Sequence, residues 1–203
     1  MFILRWLAKL VVMVNKIWRR CNMLLLRYAF RRHGKRFIFD PRDSFNFDNI
    51  EVGDYVSIGR GSLLLAGKSK IIIGNKVMIS PNVTIIGGRH NTSVVGRFMY
   101  DVQEKRPGDD PGVIIEDDIW VASCATILKG VKVGRGSIIA AGALVNKNVL
   151  PYTVVGGVPA KIISMRFKDV ETIMTHEEKV YPPENRLSRE YLTEIIDYAG
   201  LGT

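Results

Sequence analysis

The stretch IIEDDIWVASCATILKGVKVGRGSIIAAGALV, residues 114–145, carries an aliphatic residue at every sixth position. This series consists of Ile115, Val121, Ile127, Val133, Ile139 and Val145. A helix repeats its buried face every 3.6 residues and a half-buried strand every two, so neither element explains a period of six. Six residues that form a short strand and a bend make one side of a triangular coil, and such coils can stack. The period therefore predicts a parallel β-helix.

The same series appears upstream in two shorter runs, and we call all twelve aliphatic positions the frame. The upstream members are Val52, Ile58, Leu64, Ile73, Ile79 and Ile85. Four residues after each frame position of the long run stands another small or apolar residue: Ile119, Ala125, Val131, Ser137, Ala143 and Val149. Both sets are expected to point into the coil. Glycine directly follows the frame at Gly53, Gly59, Gly74 and Gly134, where a tight corner would favour a residue without a Cβ.

The charge of the chain is concentrated at one end. The 203 residues have a formal net charge of +9, and residues 1–39 contain ten of the 29 Lys and Arg but none of the 20 Asp and Glu. On a helical wheel the basic side chains share one face and large apolar side chains lie mainly opposite, which predicts a basic amphipathic helical segment over residues 1–39.

Two interpretations of this segment stay open. In the first, residues 1–36 contact an anionic membrane surface. In the second, their apolar face packs on the domain or on neighbouring subunits, and the two interpretations are compatible. Binding of nucleic acid is disfavoured because the uncharged face is aliphatic instead of being patterned for base stacking.

The chain is predicted to divide into three parts: the basic segment, a β-helix over residues 40–163, and a helical extension over residues 164–203. Ser188 is expected to cap the last helix of this extension. The two cysteines are far apart and form no CxxC motif, so neither a disulfide framework nor a zinc site is predicted. Basic residues interrupt the early apolar segment, so neither a spanning helix nor a secretory signal is predicted. We expect a cytoplasmic location, with peripheral attachment to the inner face of the cytoplasmic membrane if the basic segment binds lipid.

The sixfold period is lost between residues 87 and 112 and then resumes, and long irregular insertions of this kind are often functional. The insertion opens with His90, the only histidine between residues 34 and 175. A neutral imidazole can take a proton from a hydroxyl group, and the edge of a rigid coil would hold it in place. A solvated loop histidine without a role is the alternative. His33 in the basic segment and His176 in a charged, exposed helix are expected to be bystanders.

The loop around His90 is followed by three segments, IEDDIWVASCATILKGVKVG (115–134), GRGSIIAAGALVNKNV (134–149) and PYTVVGGVPAKII (151–163). Together they resemble the hexapeptide-repeat acyltransferases, specifically the sugar and polysaccharide O-acetyltransferases of the maltose and galactoside acetyltransferase type. The resemblance covers about residues 50–166. It implies a left-handed parallel β-helix, a homotrimer, and acetyl-CoA as co-substrate in the groove between subunits, with no metal.

The resemblance also implies roles for individual residues. His90 matches the general base that deprotonates the acceptor hydroxyl, so that it attacks the thioester directly. Trp120 matches a tryptophan that walls the acetyl and pantetheine site, and Ser123 matches a serine near the thioester. The positions matched to the rest of the CoA channel are Ala141, Gly142, Asn146, Lys147, Pro159 and Lys161. Lysine ammonium groups suit phosphate. The acidic residue that orients His90 is left open among Asp101, Asp109 and Asp110.

The function that the resemblance implies is acetyl transfer to a hydroxyl group of a sugar or polysaccharide precursor in polysaccharide biosynthesis. The sequence departs from the family pattern at Ala122 and Lys129, where glycine and proline are common. The segment GRGSLLLAGKS (59–69) also lacks an asparagine that small-sugar members use on the acceptor, so the acceptor stays open. The acyl chain length is open as well.

Two alternatives to sugar O-acetylation are N-acetylation of a nucleotide-linked amino sugar and a non-catalytic β-helix scaffold. A metal-dependent hydratase is disfavoured, because a single coil histidine can build a three-imidazole site only on a symmetry axis.

Overall fold

The computed structural model describes residues 1–200, and its central part is a parallel β-helix with three flat sheets. Each coil contributes one short strand to each sheet in turn. The first sheet contains β1 (Arg32–His33), β3 (Ile50–Val52), β6 (Ile71–Ile73), β9 (Val113–Ile115) and β12 (Lys132–Val133). The second contains β4 (Ser57–Ile58), β7 (Met78–Ile79), β10 (Trp120–Val121), β13 (Ile138–Ile139), β15 (Thr153–Gly156) and β16 (Lys161–Met165). The third contains β2 (Ser44–Phe45), β5 (Leu63–Leu65), β8 (Thr84–Ile86), β11 (Thr126–Ile127) and β14 (Leu144–Val145).

The frame forms the interior of the coils. All twelve frame side chains are at most 4% exposed, and the six side chains that stand four positions later in the long run are also buried. The strands pair in register, so that Val121 stacks between Ile79 and Ile139. Every pairing is parallel except that of β15 with β16, which is antiparallel. Aliphatic columns therefore run along the axis, and the β-helix predicted from the period is confirmed.

A second series of period six marks the corners and was not visible in the sequence. Its members are Asp118, Cys124, Gly130, Gly136 and Gly142, whose φ angles lie between +57° and +78°. The four glycines that follow frame residues do not have this conformation. A Cβ atom added to any of them would lie only 2.3 to 2.7 Å from an atom of the next coil. As expected, these glycines lie directly before the turns, and the absence of a Cβ there allows neighbouring coils to approach.

The N-terminal end of the β-helix is filled by phenylalanine. Five rings, at Phe30, Phe37, Phe39, Phe45 and Phe47, pack with centroids 4.8 to 5.8 Å apart. Helix α1 (Phe2–Leu26) precedes them, and β1 already pairs with β3. The helix is therefore shorter than the predicted segment 1–39. The prediction extended too far because the first coil uses phenylalanine where the frame uses aliphatic residues, so the start of the β-helix was not recognised. Within residues 1–200, no helix is both long enough and apolar enough to cross a membrane.

The C-terminal extension consists of two capped helices. Asp169 caps α2 (Val170–Val180) by accepting a hydrogen bond from the Thr172 N–H. Ser188 caps α3 (Arg189–Tyr198), as expected. Residues 201–203 of the predicted extension lie outside the described residues.

A buried tyrosine joins these helices to the last coils. The Tyr152 hydroxyl donates to Glu177 Oε1 at 2.5 Å, and both side chains are fully buried. Burial, reinforced by the hydrogen bond to the Glu177 carboxylate, raises the pKa of Tyr152. His176 lies 3.3 Å from a carboxylate oxygen of Asp118 and is half-buried. The prediction that His176 is exposed is therefore wrong, because α2 packs the His176 ring against Tyr152.

Gly136→Ala is expected to lower the free energy of unfolding by about 3 kcal/mol, because a left-handed residue would gain a Cβ inside a packed contact. The added Cβ would lie 2.3 Å from the Tyr152 ring, at a φ of +70°. Gly67 is a matched control, since its φ is +60° and no atom lies within 4 Å of an added Cβ. Gly67→Ala should cost only about 1 kcal/mol. Urea unfolding followed by circular dichroism measures both, and equal losses would contradict the packed contact.

Ser137→Ala is expected to raise the free energy of unfolding by about 1 kcal/mol, because a buried hydroxyl without a partner is costly. Among the described residues, Ser137 Oγ makes no hydrogen bond although the residue is fully buried. Ser62 is equally buried, but its hydroxyl donates to the Gly59 carbonyl at 2.7 Å. Ser62→Ala should therefore lower stability by about 1 kcal/mol. Urea midpoints that move in the same direction for the two variants would refute this account of Ser137.

Candidate active site

The insertion of residues 87–112 leaves the β-helix at the edge between the third and first sheets. It begins directly after β8 and ends directly before β9. The Gly112 N–H donates to the Gly87 carbonyl at 3.0 Å, which closes the neck of the insertion. The loop thus departs from one fixed point and returns to it.

Asp109 anchors the loop from within. Its side chain is 1% exposed and accepts from the Arg106 backbone N–H at 2.8 Å and from Arg89 Nε at 3.1 Å. The pKa of Asp109 falls to about 2, first because of the Arg106 backbone N–H and then because of the Arg106 and Arg89 side chains. Its carboxylate therefore stays ionised near neutral pH and holds both ends of the loop together.

None of the candidate acids orients His90 within residues 1–200. Asp109 binds the two arginines, Asp110 binds Lys105 at 3.1 Å, and no hydrogen bond joins the side chain of Asp101 to the imidazole. The His90 ring has no hydrogen-bond partner among the described residues and is exposed. Its nitrogens are thus accessible to a bound molecule.

An open cleft of about 680 Å³ lies beside His90. Arg89, Thr92, Met99 and Tyr100 form the rest of its lining. Tyr100 is 89% exposed and Met99 is 62% exposed, so both present apolar surface to an incoming molecule. An imidazole, a guanidinium and two hydroxyl groups next to apolar side chains suit a ligand with polar and apolar faces. Of these lining residues only His90 was predicted from the sequence, because the others follow no period.

Trp120 lies on β10 in the second sheet, and its indole is held in place. The indole Nε1 donates to Ser80 Oγ at 3.0 Å, and Trp120 is 44% exposed. Ser80 follows frame residue Ile79, which pairs with Val121, so the register of the frame places the hydroxyl next to the indole. Sequence analysis did not identify Ser80, although this register could have pointed to it.

Ser123, Ala141 and Gly142 lie at the edge between the second and third sheets. The Gly142 N–H donates to the Ser123 carbonyl at 2.9 Å, which places these residues in adjacent coils. Ala141 and Gly142 are exposed, and no atom lies within 4 Å of a Cβ added to Gly142. The edge therefore offers exposed backbone with little side-chain bulk, next to the coil that carries Trp120. Such a strip can accommodate a long, narrow ligand.

The remaining four predicted residues line one cleft of about 670 Å³ near the C-terminal end. They are Asn146, Lys147, Pro159 and Lys161. Tyr198 and Ala199 of the C-terminal region also line this cleft, and neither residue was predicted to do so. Two ammonium groups at the mouth of a cleft favour an anionic ligand.

The predicted site residues do not form one cluster in a single chain. His90 leaves the β-helix after the third sheet, whereas Trp120 lies on the second sheet, before the opposite edge of the third sheet. The chain therefore separates His90 from Trp120, whereas Asn146 and Lys147 follow β14 of the third sheet and lie at the same edge as the insertion. Residues 1–200 contain no group of three or more His, Cys, Asp or Glu side chains arranged to hold a metal ion.

Comparisons with known proteins give consistent relatives, although no protein-family model matches the chain. A chloramphenicol acetyltransferase of Morganella morganii is 33% identical over 152 residues, which are 70% of this chain and 62% of the relative. A galactoside O-acetyltransferase of Lactococcus lactis is 31% identical over 70% of this chain and 66% of the relative. The chain thus spans less than two thirds of the length of these curated relatives.

A solved structure extends the likeness to the fold. The hexapeptide-repeat-containing acetyltransferase of Vibrio cholerae O1 biovar eltor, solved with acetyl coenzyme A, is 30% identical with a TM-score of 0.60. The match covers 70% of this chain and 74% of that structure. The predicted fold class, a left-handed parallel β-helix with an N-terminal helix and C-terminal helices, is confirmed. The coils of the chain, the register of its strands and this similarity show that the chain belongs to the hexapeptide-repeat acetyltransferases.

Proposed function

We propose that the protein transfers an acetyl group from acetyl-CoA to a hydroxyl group of a sugar or polysaccharide precursor, with His90 as the general base. The observation that carries this proposal is the accessible His90 ring, held beside an open cleft by an anchored loop of a hexapeptide-repeat β-helix. In the alternative of a scaffold without chemistry, His90 would be a solvated loop histidine without a role.

In the proposed reaction, a nitrogen of His90 takes the proton from the acceptor hydroxyl group. The hydroxyl oxygen attacks the thioester carbonyl, a new carbon–oxygen bond forms, and the carbon–sulfur bond breaks. The imidazolium then returns the proton to the leaving thiolate. No covalent enzyme intermediate is needed, because the acceptor attacks the acyl group directly.

The chain has residues that suit acetyl-CoA, which would supply the activated acetyl group. The fixed indole of Trp120 offers a wall for the acetyl and pantetheine groups. The exposed backbone at Ala141 and Gly142 offers a narrow track for the rest of CoA. Lys147 and Lys161 provide positive charge at the C-terminal cleft for phosphate groups. This set of a wall, a track and a basic cleft supports the proposed use of the cofactor.

We also propose that the working enzyme is a homotrimer. His90 and Trp120 belong to different edges of the prism, so a complete site requires the edge of a second copy. A cyclic assembly repeats the same contact and can build equivalent sites between its copies. The separation of His90 from Trp120 in the chain supports this arrangement.

The proposed acceptor is a hydroxyl compound, because an amine would need less help from a base. The relatives named for galactoside and chloramphenicol acetylation differ widely in acceptor, so the panel should include both kinds of molecule. Release of CoA thiol, measured with galactosides, maltose, oligosaccharides, chloramphenicol and a nucleotide-linked amino sugar, tests the proposal. Failure of every acceptor, together with failure to bind acetyl-CoA, would favour the scaffold.

His90→Ala is expected to lower kcat by about 10²- to 10⁴-fold, because a positioned base is removed. Thermal unfolding should not change, since the exposed ring makes no hydrogen bond to a described residue. His33→Ala is the control, because His33 lies on β1 in the first coil. Thiol release measures both variants. A full rate in folded His90→Ala would remove His90 from the mechanism.

Asp109→Asn is expected to lower kcat by about 10- to 100-fold, because a small displacement of the loop misplaces the base. Asp101→Asn is the matched control, since no hydrogen bond of that carboxylate is seen in the described structure. Because the pKa of Asp109 is depressed from 3.8 to about 2, its anchor should be intact above pH 4 and lost as the pH falls through that interval.

Limited proteolysis of the loop measures this anchor independently of activity. Cleavage within residues 87–112 should accelerate in Asp109→Asn and not in Asp101→Asn. Equal protection of the two variants would show that Asp109 does not hold the loop.

A further inference from the structure

Helix α1 leaves one continuous apolar face uncovered along its whole length. The face consists of Ile3, Leu7, Val14, Ile17, Trp18 and Leu25, whose side chains are 44% to 72% exposed. At 100° per residue these positions fall within one third of the helix circumference. Contiguous apolar surface on this scale is typical of an interaction site and uncommon on ordinary soluble surface.

The body of the protein holds α1 by a different side. Arg19 forms an ion pair with the buried Asp40 at 2.5 Å, and Met23 and Leu26 pack against the core. These contacts are confined to the C-terminal part of the helix, while no residue of α1 is buried. The structure therefore does not show the apolar face packed on its own domain, which was one part of the second interpretation from the sequence. The apolar face is left available to a partner.

The charges of α1 define the kind of partner. Arg5, Lys9, Lys16 and Arg20 lie on the side opposite the apolar face and form no ion pair with any described residue. Residues 1–39 contain no acidic residue that could neutralise them. A helix with this separation of cationic and apolar faces fits the interface of an anionic bilayer, with its axis parallel to the membrane plane.

We propose that α1 docks the protein on an anionic lipid surface by burying its apolar face at the headgroup boundary, with the basic side chains contacting lipid phosphates. Tryptophan suits this boundary because its ring is amphipathic, and Trp18 lies on the apolar face. A second copy of α1 is a less suitable occupant, because two such helices would bring like charges together without any acidic side chain between them. This inference goes beyond the proposed acetyl transfer and does not depend on it.

Sedimentation of the full chain with vesicles tests the proposal. One set of vesicles contains phosphatidylcholine alone, and the other contains phosphatidylcholine with phosphatidylglycerol. The wild type should sediment with the anionic vesicles, and high salt should weaken its binding. Substitution of Arg5, Lys9 and Lys16 by Gln should lower the partition coefficient about a hundredfold, since each basic side chain contributes about fivefold.

Ile17→Glu tests the apolar face and should lower the partition coefficient at least about tenfold. Val180→Glu is the matched control, because it places the same charge at a 50% exposed apolar position in α2 and should bind like the wild type. Acetyl transfer to a soluble acceptor without vesicles should be unchanged in Ile17→Glu. Loss of that activity would bear on the proposed function and not on lipid binding.

Three results would overturn the proposal. The wild type could remain in the supernatant with anionic vesicles, or it could sediment equally with both compositions. Alternatively, Ile17→Glu could bind vesicles like the wild type while its mass in solution, measured by light scattering, drops below that of the wild type. The last result would show that other copies of the chain cover the apolar face.

Discussion

The stacking of frame side chains inside parallel coils is the constraint on which the rest of the structure depends. Neighbouring coils are separated by the spacing of hydrogen-bonded strands, about 4.8 Å, and the register allows no slip without exposing the aliphatic interior. Every frame residue is fully or almost fully buried. A side chain on the outside of a coil therefore keeps a fixed position relative to those in the coils above and below it.

This rigidity explains how distant parts of the sequence can be positioned for chemistry. Trp120 forms a hydrogen bond with Ser80, forty residues away in the sequence, because their coils are adjacent. The insertion that carries His90 starts and ends at neighbouring points of one edge, and Asp109 limits its movement. The phenylalanine cluster fills the N-terminal end of the prism, and the helices packed around Tyr152 lie at its C-terminal end. The predicted site residues lie on the outside of the prism.

The fold could be predicted because every frame position is an aliphatic residue. Several other features could not be predicted because they depend on other residue types. The first coil was missed since phenylalanine fills it. The corner series was hidden because Asp118, Cys124 and three glycines share one backbone conformation without sharing chemistry. The position of His90 followed from the loss of period, whereas the partners of Asp109 depend on a loop conformation that has no period. The roles of the cofactor residues came from family resemblance, and the structure adds that Trp120 is separated from His90 within one chain.

Our central proposal is that the rigid coils separate His90 from Trp120, so that the catalytic site is completed between copies. Co-expression of His90→Ala subunits with Ala141→Trp subunits, each carrying its own affinity tag, tests it most directly. Each variant alone should be inactive. If neighbouring copies share the site, mixed trimers purified on both tags should regain about one working site in three. A mixed assembly with no more thiol release than the separate variants would contradict the claim.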